Sequence, residues 1–253
     1  MEAPAITRNW RRFIAVSCSH GTHADRTALD AVIRARSGFL RPGMGDEMVH
    51  LGDFTDTAAW MTANADGEGE AVDEDLSVGL QHLEELGVTT ALGGNHEVRL
   101  WKALQSPNQL KVYAALKAIE TVEGRIKAMG ARFVKYKGVY STVQFGDGLL
   151  THGTIYNENA ARDMAEMYAK NGVRKVISGH THRCAIGMGR RDDNPVGFNP
   201  GTLTREECMD YANTRRATLA WSQGFVWGEF CDNEMVAWLH VQPRHATEWK
   251  LPF

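Results

Sequence analysis

Short apolar runs alternate with helical segments over the first half of the chain. Residues 13–17, 48–51 and 88–92 have the length and the β-branched content of buried strands. Between them, residues 24–36 and 72–86 place apolar side chains at helical spacing. Strands that alternate with helices usually form a parallel sheet, so this order predicts an α/β fold built on a mainly parallel sheet covered on both faces.

The second half of the chain is richer in strands. One helix is predicted at residues 160–170. Strands are predicted at residues 139–145, 148–151, 175–178, 217–221, 225–230 and 235–241. The length of 253 residues and the absence of an obvious linker favour a single domain over residues 1–253.

A helical insertion is predicted at about residues 100–130. Pro107 would start its main helix, since proline fits the first helical turn. The predicted apolar stripe consists of Leu110, Tyr113, Leu116, Ile119 and Ile126.

Charge is distributed unevenly around this insertion. Residues 42–98 contain 13 Asp or Glu and no Lys or Arg, whereas residues 99–137 contain nine Lys or Arg against two Glu. Such a basic stretch is either a solvated helical surface or a surface that meets phosphates.

Metal-ligating residue types follow five of the predicted strands. They are Cys18 and His20, Asp53 and Asp56, Asn95 and His96, His152, and finally His180 and His182. The carboxyl ends of strands in an α/β sheet are where ligand sites collect. Histidine, carboxylate and carboxamide groups that meet in this way predict a centre for two divalent metal ions.

The order of these groups resembles that of the calcineurin-like metallophosphoesterases. The family pattern is D-x-H, GDxxD, GNHE, a single H, and GHxH. This chain has Cys18-x-His20, Gly52-Asp53-x-x-Asp56, Gly94-Asn95-His96-Glu97, His152, and Gly179-His180-Thr181-His182. The segment Asn199-Pro200-Gly201-Thr202 also resembles a turn of bacterial members. The resemblance implies an α/β sandwich of two β-sheets flanked by helices (αββα).

The resemblance also implies a role for each residue. Asp53 would bridge both metals, while His20, His182 and position 18 hold the first. Asn95, His152 and His180 would hold the second. His96 would act on a phosphate oxygen or the leaving group, oriented by Asp56, and the nucleophile would be a metal-bridging hydroxide.

Position 18 departs from the family, because Cys18 stands where most members have Asp. Cys18 is then either a small buried residue or a thiolate ligand, which would favour zinc or iron over magnesium. Lariat debranching enzymes of this family share the C-x-H-G sequence, so the substitution is compatible with catalysis.

These observations predict a metal-dependent phosphoesterase that uses two divalent ions of zinc, iron or manganese. The basic insertion, expected to overhang the metals, favours a phosphodiester substrate in a nucleic acid or nucleotide. A small-molecule or protein phosphomonoesterase and a non-catalytic metal-binding scaffold are the alternatives. The four dispersed cysteines favour the reducing cytoplasm, and no apolar run approaches the ~20 residues that cross a membrane.

Overall fold

The computed structural model describes residues 9–60, 72–169, 172–190, 193–205, 220–243, 246 and 248–253. Three of the five residues of the strand predicted at 217–221, and the end of the helix predicted at 160–170, lie outside these residues. The described strands are β1 (Arg11–Val16), β2 (Glu47–His50), β3 (Thr90–Leu92), β4 (Arg132–Val134), β5 (Thr142–Phe145), β6 (Gly148–Thr151), β7 (Lys175–Ser178), β8 (Cys184–Met188), β9 (Val196–Pro200), β10 (Gly224–Phe230) and β11 (Met235–Val241). The described α-helices are α1 (Arg26–Phe39), α2 (Val72–Leu86), α3 (Val98–Ala103), α4 (Gln109–Ala128) and α5 (Ala160–Tyr168).

The strands form two sheets. The first has the order β11-β10-β1-β2-β3-β4, and the second has the order β5-β6-β7-β9-β8. Strands β1 to β4 are parallel neighbours, as the strand–helix alternation predicts, and β10 pairs with β1 in the antiparallel direction. In the second sheet β6, β7 and β9 are parallel, and β5 and β8 are antiparallel at its edges.

The two sheets pack face to face with helices outside them. Phe13 and Val49 of the first sheet share a buried cluster with Val143 and Ile177 of the second. A separate cluster joins the other face of the first sheet to α1, α2 and α4, and a third joins the second sheet to α5. The predicted sandwich of two sheets flanked by helices is therefore confirmed. Among the described residues, no helix is both long and apolar enough to span a membrane.

The apolar stripe predicted for the insertion is wrong in part. Ile119 and Ile126 are buried, but Leu110, Tyr113 and Leu116 are exposed, Leu110 by 80%. Residues three apart turn by ~300° around a helix of 3.6 residues per turn, so a strict spacing of three drifts off one face. The buried face instead uses small residues among its members, which are Ala115, Ala118, Ile119, Val122 and Ile126.

The start of this helix also differs from the prediction. The helix begins at Gln109, two residues after Pro107. Asn108 caps it, because its side-chain oxygen accepts from the backbone N–H of Leu110 at 2.9 Å. An asparagine that satisfies free N–H groups at a helix start outweighs the preference of proline for the first turn.

Candidate metal centre

All nine predicted site residues lie on loops that follow strands. Cys18, His20, Asp53, Asp56, Asn95 and His96 follow β1, β2 and β3 of the first sheet, and His152, His180 and His182 follow β6 and β7 of the second. Because these parallel strands run in the same direction within each sheet, their carboxyl ends share one edge of the sandwich. The centre is therefore assembled from both sheets.

The loops reach this geometry through left-handed backbone. Cys18, His20, Asp53, His180 and His182 all have positive φ, between 49° and 70°. Non-glycine residues rarely adopt this conformation, and it concentrates at functional sites where the surrounding structure enforces it.

Gly94 lies so close to the Asp53 carboxylate that only glycine fits at this position. A Cβ atom built on Gly94 would lie 2.1 Å from the Asp53 Oδ1 atom. The glycine of the GNHE sequence thus lets the third loop touch the carboxylate that follows β2.

One group of ligand atoms is formed by Cys18, His20 and His182. Their ligand atoms lie within 4.8 Å of one another, and all three residues are buried. The Nε2 atoms of His20 and His182 face each other at 3.0 Å. Cys18 also lies within 4.8 Å of both Asp53 and His152, so it is close to either group.

A second group is centred on His152. Its Nε2 atom lies 3.2 Å from Asp53 Oδ2 and 2.9 Å from Asn95 Oδ1. Its Nδ1 atom lies 3.0 Å from the Leu51 carbonyl oxygen, a partner that accepts the ring proton and directs Nε2 into the centre. The ring of His180 packs against that of His152, with centroids 5.2 Å apart.

The protonation of these groups suits a cation. Burial lowers the pKa of His20 and His182, and lowers that of His180 to about 4, so these rings are neutral ligands at physiological pH. Burial disfavours ionised Asp53, but the positive field of His152 and His96 outweighs burial and lowers the carboxyl pKa. His152 differs, because burial is outweighed by the charge of Asp53, which raises the pKa of its ring. Its Nε2 atom, the Asp53 carboxylate and the Asn95 amide oxygen converge at about 3 Å, and a divalent cation bound there would replace the ring proton.

Cys18 fits the same interpretation. Burial and the nearby Asp53 charge raise the pKa of its thiol, so a thiolate there needs a neighbouring cation. The loop that carries Cys18 is held by the turn at residues 199–202, as the Thr202 hydroxyl donates to the Cys18 carbonyl at 2.7 Å. The residues present thus fit a divalent metal centre.

His96 and Asp56 form a pair beside the two groups. The Nδ1 atom of His96 lies 3.0 Å from Asp56 Oδ1, and His20 Nδ1 lies 3.3 Å from the same oxygen. Burial opposes ionisation of Asp56, but its close contacts with His20 and His96 outweigh burial and lower its pKa. Burial also opposes a charged His96, yet the charge of Asp53 and the Asp56 contact raise the pKa of His96 to about 9. His96 can therefore hold a proton close to the centre.

Sequence reasoning missed two carboxylates that shape these loops. Buried Glu97 accepts from the backbone N–H groups of Asp53, Thr55 and Gly94 at 2.7–2.9 Å. Buried Asp75 accepts from the N–H groups of Asp56 and Thr57. Glu97 belongs to the GNHE sequence and could have been found there, but Asp75, in the first turn of α2, gives no sequence signal.

Comparison with known proteins identifies a family. The profile of the calcineurin-like phosphoesterase family matches residues 11–184. No curated protein matches the chain significantly. A search of solved structures finds a serine/threonine phosphatase from Saccharomyces cerevisiae with similarity to human phosphatase PP5. It is 11% identical in sequence, the match covers 96% of this chain and 83% of that chain, and the TM-score is 0.41. At this level of similarity nothing about the substrate follows.

The family profile covers more than half of the chain, from β1 to the start of β8. The protein therefore belongs to the calcineurin-like phosphoesterases and is a hydrolase of phosphate esters.

Proposed function

We propose that this protein is a phosphoesterase with a dinuclear metal centre. The observation that carries the proposal is the placement of Asp53 between two sets of ligand atoms. Its Oδ2 atom lies 3.2 Å from His152 Nε2 and 4.0 Å from His20 Nε2. A carboxylate in that position can belong to two coordination shells at once. Because the family consists of phosphoesterases, the alternative of a non-catalytic metal-binding scaffold has no support.

Each set would hold one divalent ion of zinc, iron or manganese. The first would be held by Cys18, His20, His182 and Asp53, and the second by Asp53, Asn95, His152 and His180. When bound, the two ions supply the positive charge that lowers the pKa of an attacking water and neutralises phosphoryl oxygens.

The chain's own residues would handle the leaving group. The Nδ1 atom of His96 is engaged by Asp56, so Nε2 is the ring atom that remains for a phosphoryl oxygen or the leaving oxygen. Asp56 also contacts His20, so it would orient a ligand and the proton donor together. We therefore assign His96 as the general acid and Asp56 as its positioning residue.

Aromatic side chains beside the centre support a nucleotide or nucleic acid substrate. Trp221 packs on the ring of His182, with centroids 4.3 Å apart. Tyr156 is 76% exposed, and its ring lies 6.4 Å from that of His180. Exposed or half-buried rings next to a phosphate site can stack on a base, a contact that tolerates any sequence.

The basic insertion gives weaker support than its charge count indicates. Lys111, Lys117 and Arg125 line a cavity of about 640 Å³ between α2 and α4. However, Lys117 pairs with Glu120 at 2.8 Å and Arg125 pairs with Glu84 at 2.7 Å. Asp73 lines the same cavity. We propose that the three cations there guide a polyanion, with their charge partly offset by Asp73 and by these glutamates.

We also propose a reducing, cytoplasmic setting, because Cys18 can bind metal only as an unoxidised thiolate. Cys18, Cys184 and Cys231 are free thiols, and Cys208 lies outside the described residues.

The function is tested by metal analysis of protein purified without added metal, followed by paired hydrolysis assays. A generic aryl phosphate monoester, its bis-aryl diester and a single-stranded oligonucleotide are the substrates. We expect close to two metal ions per chain and faster turnover of the diesters. A preference for the monoester would replace the phosphodiesterase with a phosphomonoesterase, and a protein that binds no metal would contradict the dinuclear centre.

A further inference from the structure

Arg99 lies at the edge of the centre, three residues after His96. It is the second residue of α3, and its backbone N–H donates to the His96 carbonyl at 3.0 Å. Its half-buried side chain turns back over the loop, where Nη1 donates to the Asp56 carbonyl at 2.7 Å. The Nη2 atom lies 3.3 Å from His96 Nε2. The guanidinium therefore touches both members of the His96–Asp56 pair.

The Nη2 atom of Arg99 lies where it can contact a ligand that binds to His96. Because Asp56 engages Nδ1 of His96, Nε2 is the ring atom left for a ligand. An oxygen that hydrogen bonds to Nε2 can lie within hydrogen-bonding distance of Nη2 as well, since the two nitrogens are only 3.3 Å apart. The two side chains form a fork in which one anionic oxygen can sit.

The charge of Arg99 has no carboxylate partner in the part of the chain that the structure describes. Arg26, Arg41 and Arg125 each lie within 4.0 Å of a carboxylate oxygen, whereas Arg99 contacts only a carbonyl and a ring nitrogen. The Asp56 carbonyl takes one of its five N–H donors, and Nε2 of His96 accepts none while it carries the proton that a general acid delivers, so the other donors remain for an anion.

We propose that Arg99 is a substrate-binding residue that donates to a phosphoryl oxygen beside His96. A guanidinium is suited to this role because its fork matches the oxygens of a phosphoryl group. The inference rests on the proposed function, since it places the phosphoryl group between His96 and the metal ligands. Arg99 would hold the phosphoryl group while the carbonyl of Asp56 holds the guanidinium in place.

The test compares Arg99→Gln and Arg99→Lys with Lys102→Gln, in the metal-loaded full-length protein. Lys102 is exposed on the same short helix, so its change removes one charge without entering the site. Inorganic phosphate is the probe, measured by calorimetric titration and by inhibition of aryl ester hydrolysis. We expect Arg99→Gln to weaken phosphate binding and raise KM roughly ten- to hundredfold, the loss of one charged hydrogen bond, with metal content unchanged. Arg99→Lys should lose less, and Lys102→Gln should bind as the wild type does.

Two results would overturn the inference. If kcat falls while phosphate affinity and KM stay at wild-type values, Arg99 only positions His96. If a folded Arg99→Gln variant binds phosphate with the affinity of the wild type, the guanidinium does not act as an anion donor. Failure of the proposed function gives a different pattern, in which the wild type binds phosphate in an Arg99-dependent way and hydrolyses none of the esters.

Discussion

Asp53 is the residue on which both halves of the centre depend. Besides its contacts with His152 and His20, its Oδ1 atom accepts from the His96 backbone N–H at 2.9 Å. A carboxylate that is fully buried must be compensated by nearby positive charge, and here that compensation comes from ring protons or from bound metal.

Asp53→Asn should therefore remove both metals, because a neutral amide cannot bridge two cations. Elemental analysis after gel filtration measures the stoichiometry, and His96→Ala is the matched comparison. That variant should keep its metals while its turnover falls roughly 10²- to 10⁴-fold, as expected for loss of a general acid. Two metals retained by Asp53→Asn, with activity within tenfold of wild type, would contradict the bridging role.

We propose that Cys18 determines which metal the first group prefers. Cys18→Asp should keep activity and shift the preference from zinc or iron toward manganese or magnesium, since a hard oxygen donor replaces sulfur. Cys18→Ser should weaken the first ion more than the second, because a neutral hydroxyl replaces an anion. Competition titrations with the four metals measure both effects. Unchanged affinities in Cys18→Ser would show that Cys18 only packs in the core.

At the scale of elements, the strand ends were predictable and several strands were not. The runs before Cys18, Asp53 and Asn95 are apolar and β-branched, so hydrophobic pattern alone located the loops that carry them. Strand β4 has only three residues, and β8 and β9 contain glycine or proline, which weaken a strand signal. These strands form because they pair with neighbouring strands, and a local hydrophobic pattern does not show that pairing.

The insertion illustrates the same limit for charge. Counting residues 99–137 finds a strong positive excess, but helix α4 packs on α2, so Arg125 meets Glu84 across the two helices. A sequence separation of 41 residues hides that pairing. Only the packing shows how much positive charge is left.

Charge reversal on α4 measures how much unpaired positive charge the helix contributes to oligonucleotide binding. Lys111→Glu with Lys117→Glu should weaken oligonucleotide binding and reduce the slope of log affinity against log salt by roughly 1 to 2, because fewer counterions are released. Hydrolysis of a small aryl ester should barely change. The control is Lys102→Glu with Lys127→Glu, an equal change in net charge at exposed positions outside the cavity lining. Equal losses in both double variants would make α4 a plain solvated surface.

At the scale of the whole molecule, the centre joins two sheets that otherwise meet through apolar packing. The proposed ligands on the loops that follow β1 to β3 lie close to those on the loops that follow β6 and β7. Strands β10 and β11, near the C terminus, complete the sheet that contains β1, which supports our proposal of a single domain. Metal bound between the sheets would stabilise only the folded chain.

Chelation should therefore lower the melting temperature. At a free metal concentration of 100 times Kd, binding contributes about 2.7 kcal/mol, which corresponds to roughly 5–10 °C for a chain of this size. Differential scanning calorimetry with and without chelator measures the shift. Asp53→Asn should show no shift, and an equal shift in that variant would place the stabilising metal elsewhere.

The left-handed backbone at the five proposed ligand positions favours the proposed site at a cost in folding stability. Only glycine adopts such φ angles without a penalty of about 1 kcal/mol or more per residue. Mutation to glycine there would relax a loop while deleting a proposed ligand, so the strain relieved would offset part of the stability lost with the metal. A lineage released from selection for its substrate should lose these ligands early and persist as a folded pseudoenzyme.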